Sequence, residues 1–108
     1  MARFYFLATL TPEALGGLVE NPTDRKAAVK ELVEAAGGSF GSFSMTRGIY
    51  DGVTVAELPD FNAAAAFKTV VITSGVASRV DILEDIPNAR DMLGQAKELK
   101  GVFRPPTQ

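Results

Sequence analysis

Cysteine and histidine are both absent from the 108 residues of the chain. Without cysteine, the chain forms no disulfides and carries no thiolate nucleophile. Without either residue type, it has no Cys/His zinc site, no Ser-His-Asp triad and no His-ligated haem. We therefore expect neither a metal site nor a cofactor.

An excess of positive charge is lacking as well. The 11 Lys and Arg residues stand against 13 Asp and Glu residues, which gives a formal net charge of -2 at pH 7. A nucleic-acid-binding domain needs a basic face that displaces counterions from phosphates, so we expect no nucleic-acid partner. The hydrophobic content of 46% excludes intrinsic disorder.

Long hydrophobic runs are also missing. The longest apolar stretch, residues 63–72, contains Lys68 and Thr69 and is well short of the roughly 20 residues that a membrane span needs. The apolar run that follows Met1 is shorter and more polar than the core of an export signal. We expect a cytoplasmic protein without a membrane partner.

The hydrophobic pattern predicts four strands and three long helices in one domain, residues 1–108. Apolar positions that alternate predict strands at 3–10, 39–46, 49–58 and 76–83. Three- and four-residue spacings predict helices at 25–36, 61–73 and 88–99. A short helical turn is expected after Thr11-Pro12, and a tail from about residue 101.

Local signals refine the ends of these elements. Either Asn21 or Thr23 is expected to cap the helix at 25–36. Gly41 is placed as a bulge in the second strand, because Phe40 is otherwise out of phase with Phe43. The turn of a hairpin is expected at residues 47–48, between the second and third strands.

The element order is that of a ferredoxin-like fold in the α+β class. Two βαβ units with right-handed crossovers, split by the hairpin, give βαββαβ and a four-stranded antiparallel sheet, with an extra C-terminal helix. Helices cover only one face of such a sheet, and the other would leave a large apolar patch in water. A second copy related by two-fold symmetry would cover it, so we expect a homodimer or a higher oligomer.

Three short motifs resemble the GYD-domain family. They are residues 35–38 (Ala-Ala-Gly-Gly), 48–51 (Gly-Ile-Tyr-Asp) and 57–60 (Glu-Leu-Pro-Asp). The resemblance covers essentially the whole chain and implies a small dimeric α/β-barrel protein without an assigned reaction, so it transfers no catalytic residue. Gly52 departs from the family pattern, in which an aliphatic residue is more usual, and it would leave room for a ligand or loosen the strand.

The hairpin holds the first group with chemical potential. Arg47 can clamp a carboxylate, Tyr50 can donate to a carbonyl or enolate oxygen, and Asp51 can take a proton if burial raises its pKa. A structural role is the competing interpretation: Gly48 adopts a positive φ, Asp51 accepts backbone N–H groups, and Tyr50 packs at a dimer interface.

A second group comprises hydroxyl-bearing side chains expected on one face of the sheet: Tyr5, Thr9, Tyr50 and Thr54. Together with Arg47 they are the candidate ligand-binding residues, and the competing interpretation makes them mildly polar interface residues. Arg79 and Asp81 are expected to form an ion pair on an edge strand. Glu84 and Asp85 are expected at the solvated surface.

Two functions follow from these observations. The first is a homodimeric small-ligand-binding or interaction protein of the GYD type. The alternative is a cofactor-independent monooxygenase or isomerase that acts on a small aromatic or enolisable acid through Tyr5 or Tyr50 with Arg47. The two differ in what lies at the face of the sheet that the helices leave uncovered. A dry, filled dimer interface there would favour the first function, and a cavity of a few hundred Å³ with a titratable group of shifted pKa would favour the enzyme. The sequence leaves open whether the chain is an enzyme.

Overall fold

Four strands and four helices make up the part of the chain, residues 1–106, that a computed structural model describes. The strands are β1 (Ala2–Leu10), β2 (Ser39–Met45), β3 (Gly52–Leu58) and β4 (Ala77–Glu84). The helices are α1 (Pro12–Glu20), α2 (Lys26–Ala35), α3 (Phe61–Thr73) and α4 (Ala89–Lys100). The predicted domain extends to residue 108, and its last two residues lie outside the described part.

The strands form one antiparallel sheet in the order β2-β3-β1-β4. The central strand β1 places Phe6 opposite Thr54 on β3 and opposite Ile82 on β4. This strand order and element sequence confirm the predicted ferredoxin-like fold. Dimerisation stays a prediction.

The core lies between the sheet and the helices α2 and α3. Alternate residues of β1 point towards these helices, and Phe4 and Phe6 are buried there. The rings of Phe6 and Phe67 on α3 lie 4.5 Å apart, and α2 contributes the fully buried Val33. Burial of each such side chain is worth about 1.5–3 kcal/mol, so this face holds the sheet and helices together.

The opposite face of the sheet is here named the open face, and its apolar members are Tyr5, Leu7, Val53, Val55 and Leu83. Side chains paired directly across antiparallel strands share a face, and the pairs Tyr5–Val55, Leu7–Val53 and Tyr5–Leu83 define this one. None of these residues belongs to the buried core cluster. No helix of the described part covers them.

Helix starts follow the capping rules with one exception. The Thr11 hydroxyl accepts a hydrogen bond from the Ala14 amide at 3.1 Å, and Pro12 takes the first helical position of α1. The result is a nine-residue helix where only a short turn was expected. The prediction of Asn21 or Thr23 as the cap of α2 is wrong, because the N-cap is Arg25.

The hairpin between β2 and β3 is wider than predicted. β3 begins at Gly52 rather than residue 49, and residues 46–51 form the loop. The Thr46 side chain donates to the Tyr50 carbonyl at 2.6 Å, and the Asp51 amide donates to the Ala8 carbonyl at 2.7 Å. The Thr46 amide also donates to the Asp51 carbonyl at 2.9 Å, so one further backbone bond closes the base of the loop beyond the Met45–Gly52 pair.

Two glycines allow close backbone approach between β2 and β3. The expected bulge at Gly41 is confirmed by a register shift between Phe40 and Ser42. At Gly38 an added Cβ would lie 2.2 Å from the Glu57 carbonyl oxygen and 2.5 Å from a Leu58 methyl group. Neither strand can retreat without loss of the adjoining ladder, so only glycine fits at position 38.

Gly38→Ala is expected to lower the free energy of unfolding by about 2 kcal/mol or more, because the added methyl group overlaps backbone. Gly16→Ala is the matched control, since nothing lies within 4 Å of its Cβ position on α1. That control should leave stability unchanged or raise it by about 0.5–1 kcal/mol. Urea unfolding measures both, and equal stability of the two variants would contradict the close approach.

Candidate functional site

The predicted site residues lie on two opposite faces of the sheet. Tyr5 and Thr9 belong to the same face of β1 as Leu7, whereas Thr54 pairs with Phe6 and points towards the helices. The prediction that Thr54 shares a face with Tyr5 and Thr9 is therefore wrong. It assumed one continuous strand from residue 49, and the loop at 46–51 interrupts the alternation on which that phase depends.

The loop at residues 46–51 is fastened to the C-terminal half of β1. The Asp51 carboxylate accepts a hydrogen bond from the Leu10 amide at 2.8 Å. The Thr9 hydroxyl donates to the Ile49 carbonyl at 2.7 Å. Gly48 has a φ of 127°, a conformation that other residues rarely adopt. In this geometry the Gly48 and Asp51 positions of the motif hold the loop in place.

Tyr50 reaches across β1 to the edge strand β4. Its hydroxyl donates a hydrogen bond to the Asp81 carboxylate. The same carboxylate pairs with the Arg79 guanidinium at 2.9 Å, as the sequence predicts for Arg79 and Asp81. The guanidinium carbon lies 5.8 Å from the centre of the Tyr50 ring. Tyr50, Asp81 and Arg79 therefore form one connected group, here named the tyrosine–aspartate cluster.

The other candidate residues are less connected. The Tyr5 hydroxyl donates to Asp85 at 3.4 Å, at the opposite end of β1 from Thr9. Arg47 is exposed in the loop, and neither of the two ion pairs found within residues 1–106 includes it. The structure thus joins Tyr50 to Asp81 and Arg79 and does not join it to Arg47.

The electrostatics of the tyrosine–aspartate cluster fix its protonation at neutral pH. The hydrogen bond to the Asp81 carboxylate, together with burial, raises the pKa of Tyr50. Hydrogen bonds from Arg79 and Tyr50 lower the pKa of Asp81. Both groups are shifted away from neutrality, whereas general acid–base catalysis works best with a pKa near the working pH. The cluster is therefore suited to holding the loop against β4.

A cavity of about 540 Å³ lies on the other side of the sheet, between its helix-covered face and the helices α1, α2 and α3. Apolar side chains from all these elements form most of its wall, among them Phe6, Ala8, Leu18, Val29, Phe67 and Val71. Val70 and Met45 line it while half-exposed, so the cavity opens to solvent.

Small residues lie in the floor of this cavity. Ala8 and Gly52 face each other across β1 and β3, and the Phe43 ring packs over Gly52, 3.2 Å from the position that a Cβ would take there. Thr54, the one polar side chain in the buried set of residues 1–106, also lines the cavity. Sequence reasoning grouped Thr54 with Tyr5, Thr9 and Tyr50 as ligand-binding residues, and of these four only Thr54 lines the cavity. The room that the departure at Gly52 would leave is taken by the Phe43 ring.

Polar groups cluster where α1 runs into α2. Asn21, Thr23 and Arg25 line the cavity there. Arg25 is half-buried, and the two ion pairs of the described residues leave it out. Among the residues 1–106 that line the cavity, Arg25 is the one with a titratable side chain. The cavity therefore combines a long apolar wall with a single guanidinium near one end.

Two further observations concern metals and membranes. Within residues 1–106, no group of three or more carboxylates is placed to hold a metal ion. No helix of that part is both long enough and apolar enough to cross a bilayer.

Titration of Tyr50 tests the tyrosine–aspartate cluster. The chain has two tyrosines and no tryptophan, so Tyr5→Phe leaves Tyr50 as the sole phenol in ultraviolet absorbance. In that background the pKa of Tyr50 should lie above the ordinary tyrosine value of about 10. The hydrogen bond from Tyr50 to Asp81, which connects the loop to β4, should weaken as the pH rises through that shifted pKa. Asp81→Asn should move the pKa back towards about 10.

Asp85→Asn serves as the control, because Asp85 accepts from Tyr5 and not from Tyr50. It should leave the Tyr50 titration unchanged. A Tyr50 pKa that is indifferent to Asp81→Asn would show that the hydrogen bond is not formed in solution.

Comparison with known proteins identifies the family of the chain. The family model of the GYD domain matches residues 4–90. The search of curated proteins found no match. Among solved structures, the chain is similar to the crystal structure of TTHA0845 from Thermus thermophilus, with 19% sequence identity, a TM-score of 0.47, and coverage of 80% of this chain and 94% of that one. On the strength of the family match, which spans four strands and three helices, the chain belongs to the GYD domain family.

Proposed function

We propose that this GYD-domain protein is a homodimer that binds a small, largely apolar ligand in the cavity between the sheet and helices α1 to α3. The cavity is the observation that carries the proposal. Its volume of about 540 Å³ falls within the roughly 300–1,000 Å³ typical of ligand sites. Such sites are mostly apolar with a few polar groups that fix orientation, and this lining has that composition.

The ligand is proposed to carry one polar or anionic end. The apolar wall accepts its body, and the Thr54 hydroxyl offers one hydrogen-bonding group on the floor. Arg25, near the α1–α2 connection, presents donors suited to a carboxylate or another oxygen acceptor. A small aromatic or aliphatic carboxylic acid satisfies both ends of the cavity.

The homodimer is supported by the open face. Leu7, Val53 and Val55 are half-buried on the two central strands, and Leu83 on β4 is 55% exposed. No helix of the described part covers them, and a two-fold axis through this face would place the same residues opposite one another. Nothing in the cavity lining or in the tyrosine–aspartate cluster favours the enzyme alternative. The cytoplasmic location stays a prediction of the sequence.

Binding of 1-naphthoic acid tests the cavity. Isothermal titration calorimetry on the full chain should detect binding, and Ala8→Phe should weaken it at least tenfold, because the new ring fills the floor. Leu7→Phe is the matched control, since it adds a ring at the adjacent residue on the open face, and it should stay within about twofold of the parent. Circular dichroism establishes that both variants fold.

The polar end is tested with a second probe in the same assay. Arg25→Met should weaken binding of 1-naphthoic acid about threefold to tenfold and leave binding of the uncharged 1-naphthol unchanged, because only the carboxylate uses the guanidinium. Absence of binding by both probes at millimolar concentration, or equal effects of Ala8→Phe and Leu7→Phe, would contradict a ligand site in this cavity.

A further inference from the structure

Helix α4 stands apart from the rest of the described chain. It makes no extended contact with any other helix or strand, and all twelve residues from Ala89 to Lys100 are exposed. The molecule measures 59 Å along its longest axis against 32 and 22 Å along the others. Its radius of gyration is 17.6 Å, compared with about 13 Å for a compact domain of about 100 residues. The helix therefore projects from the body.

One side of this projecting helix is apolar. Met92, Leu93 and Leu99 share that side with two alanines, and the stripe continues to Phe103 beyond the helix end. Leu93 is 60% exposed, Leu99 67% and Phe103 70%. Isolated helices shorter than about 12–15 residues are marginal in water, and most helical stability comes from packing of an apolar face. The stripe therefore requires a packing surface, and the described part of the same chain provides none.

Charge separates this segment from the body. Residues 89–108 carry four Lys or Arg and two Asp or Glu, whereas residues 1–88 carry seven and eleven. The segment is thus net positive by two and the body net negative by four. Helical spacing places Arg90 and Lys97 along one edge of the apolar stripe, Lys100 at its C-terminal end, and Asp91 and Glu98 on the far side. A surface that binds the stripe must also attract the basic residues near it. The body of a second copy, which is net negative, meets this requirement.

Apolar residues also lie exposed where the body meets α4. Leu83, on the open face of the edge strand β4, is 55% exposed, and Ile86 in the following connection is 52% exposed. They precede the stripe in the sequence, so exposed apolar residues occur from β4 through the connection into α4. The family match ends at residue 90, so Leu83 and Ile86 belong to the matched GYD domain, whereas the stripe from Met92 onward lies beyond it.

We propose that α4 and the tail to Phe103 form an arm, which docks on a second copy of this chain along the β4 edge of its open face. By two-fold symmetry each copy gives one arm and receives one. The arm rests on the homodimer of the proposed function and is independent of the ligand cavity. It covers the exposed Leu83 of the partner and adds basic groups to an acidic body. Each arm thereby gains the packing that a twelve-residue helix needs.

Two neighbouring substitutions in the full chain test the arm. Leu93→Glu places a charge in the stripe and should raise the dimer dissociation constant, measured by sedimentation equilibrium, at least tenfold. Gly94→Glu adds the same charge on the opposite side of the helix, where nothing lies within 4 Å of the glycine, and should change that constant by less than about twofold. Equal effects of the two variants would overturn the proposal.

Cross-linking locates the docking surface. Because the chain has no cysteine, Gln95→Cys provides a single attachment site for a benzophenone label beside the stripe. In a mixture of ¹⁴N- and ¹⁵N-labelled copies, irradiation should join the label to residues 77–86 of the other copy. A dimer without such cross-links would overturn the arm and leave the homodimer standing, whereas a monomeric parent chain would overturn both.

Cosedimentation of the parent, but not of Leu93→Glu, with phosphatidylserine vesicles would assign the stripe to a membrane surface and overturn docking on a second copy.

Discussion

The alternation of side chains along β1 is the constraint on which the rest of the structure depends. Because successive residues of a strand point to opposite faces, Phe4 and Phe6 enter the helix-covered core while Tyr5 and Leu7 reach the open face. β1 is central in the sheet, so its phase sets the phase of β3 and β4 through the register. A shift by one residue would exchange core and surface for the whole sheet.

The two faces consequently carry different chemistry. On the helix side, the small pair Ala8 and Gly52 lies in the floor of the cavity, which Thr54 helps to line. On the open face, polar side chains bond to one another: Tyr50 donates a hydrogen bond to Asp81, and Arg79 forms an ion pair with it. The loop between β2 and β3 is thereby fastened to β1 through Asp51 and to β4 through Tyr50.

Sequence reasoning was sufficient for the element order and the sheet topology, because helical spacing and the βαββαβ pattern are local signals with few topological solutions. It also anticipated the bulge at Gly41 and the Arg79–Asp81 pair, which lies within one strand. It failed for Thr54 because side-chain phase cannot be carried across a loop, and the hydrogen bond from the Leu10 amide to Asp51 that fastens this loop spans 41 residues. The Tyr50–Asp81 bond spans 31 residues and has no local signature.

Methyl NMR tests the division of the sheet into two surfaces most directly. Addition of 1-naphthoic acid should shift the methyl signals of Ala8, Val71 and Val80 and leave those of Val53 and Val55 in place. Dilution that dissociates the proposed homodimer should do the reverse. Probe-induced shifts on Val53 and Val55, or dilution shifts confined to Ala8 and Val71, would contradict the account.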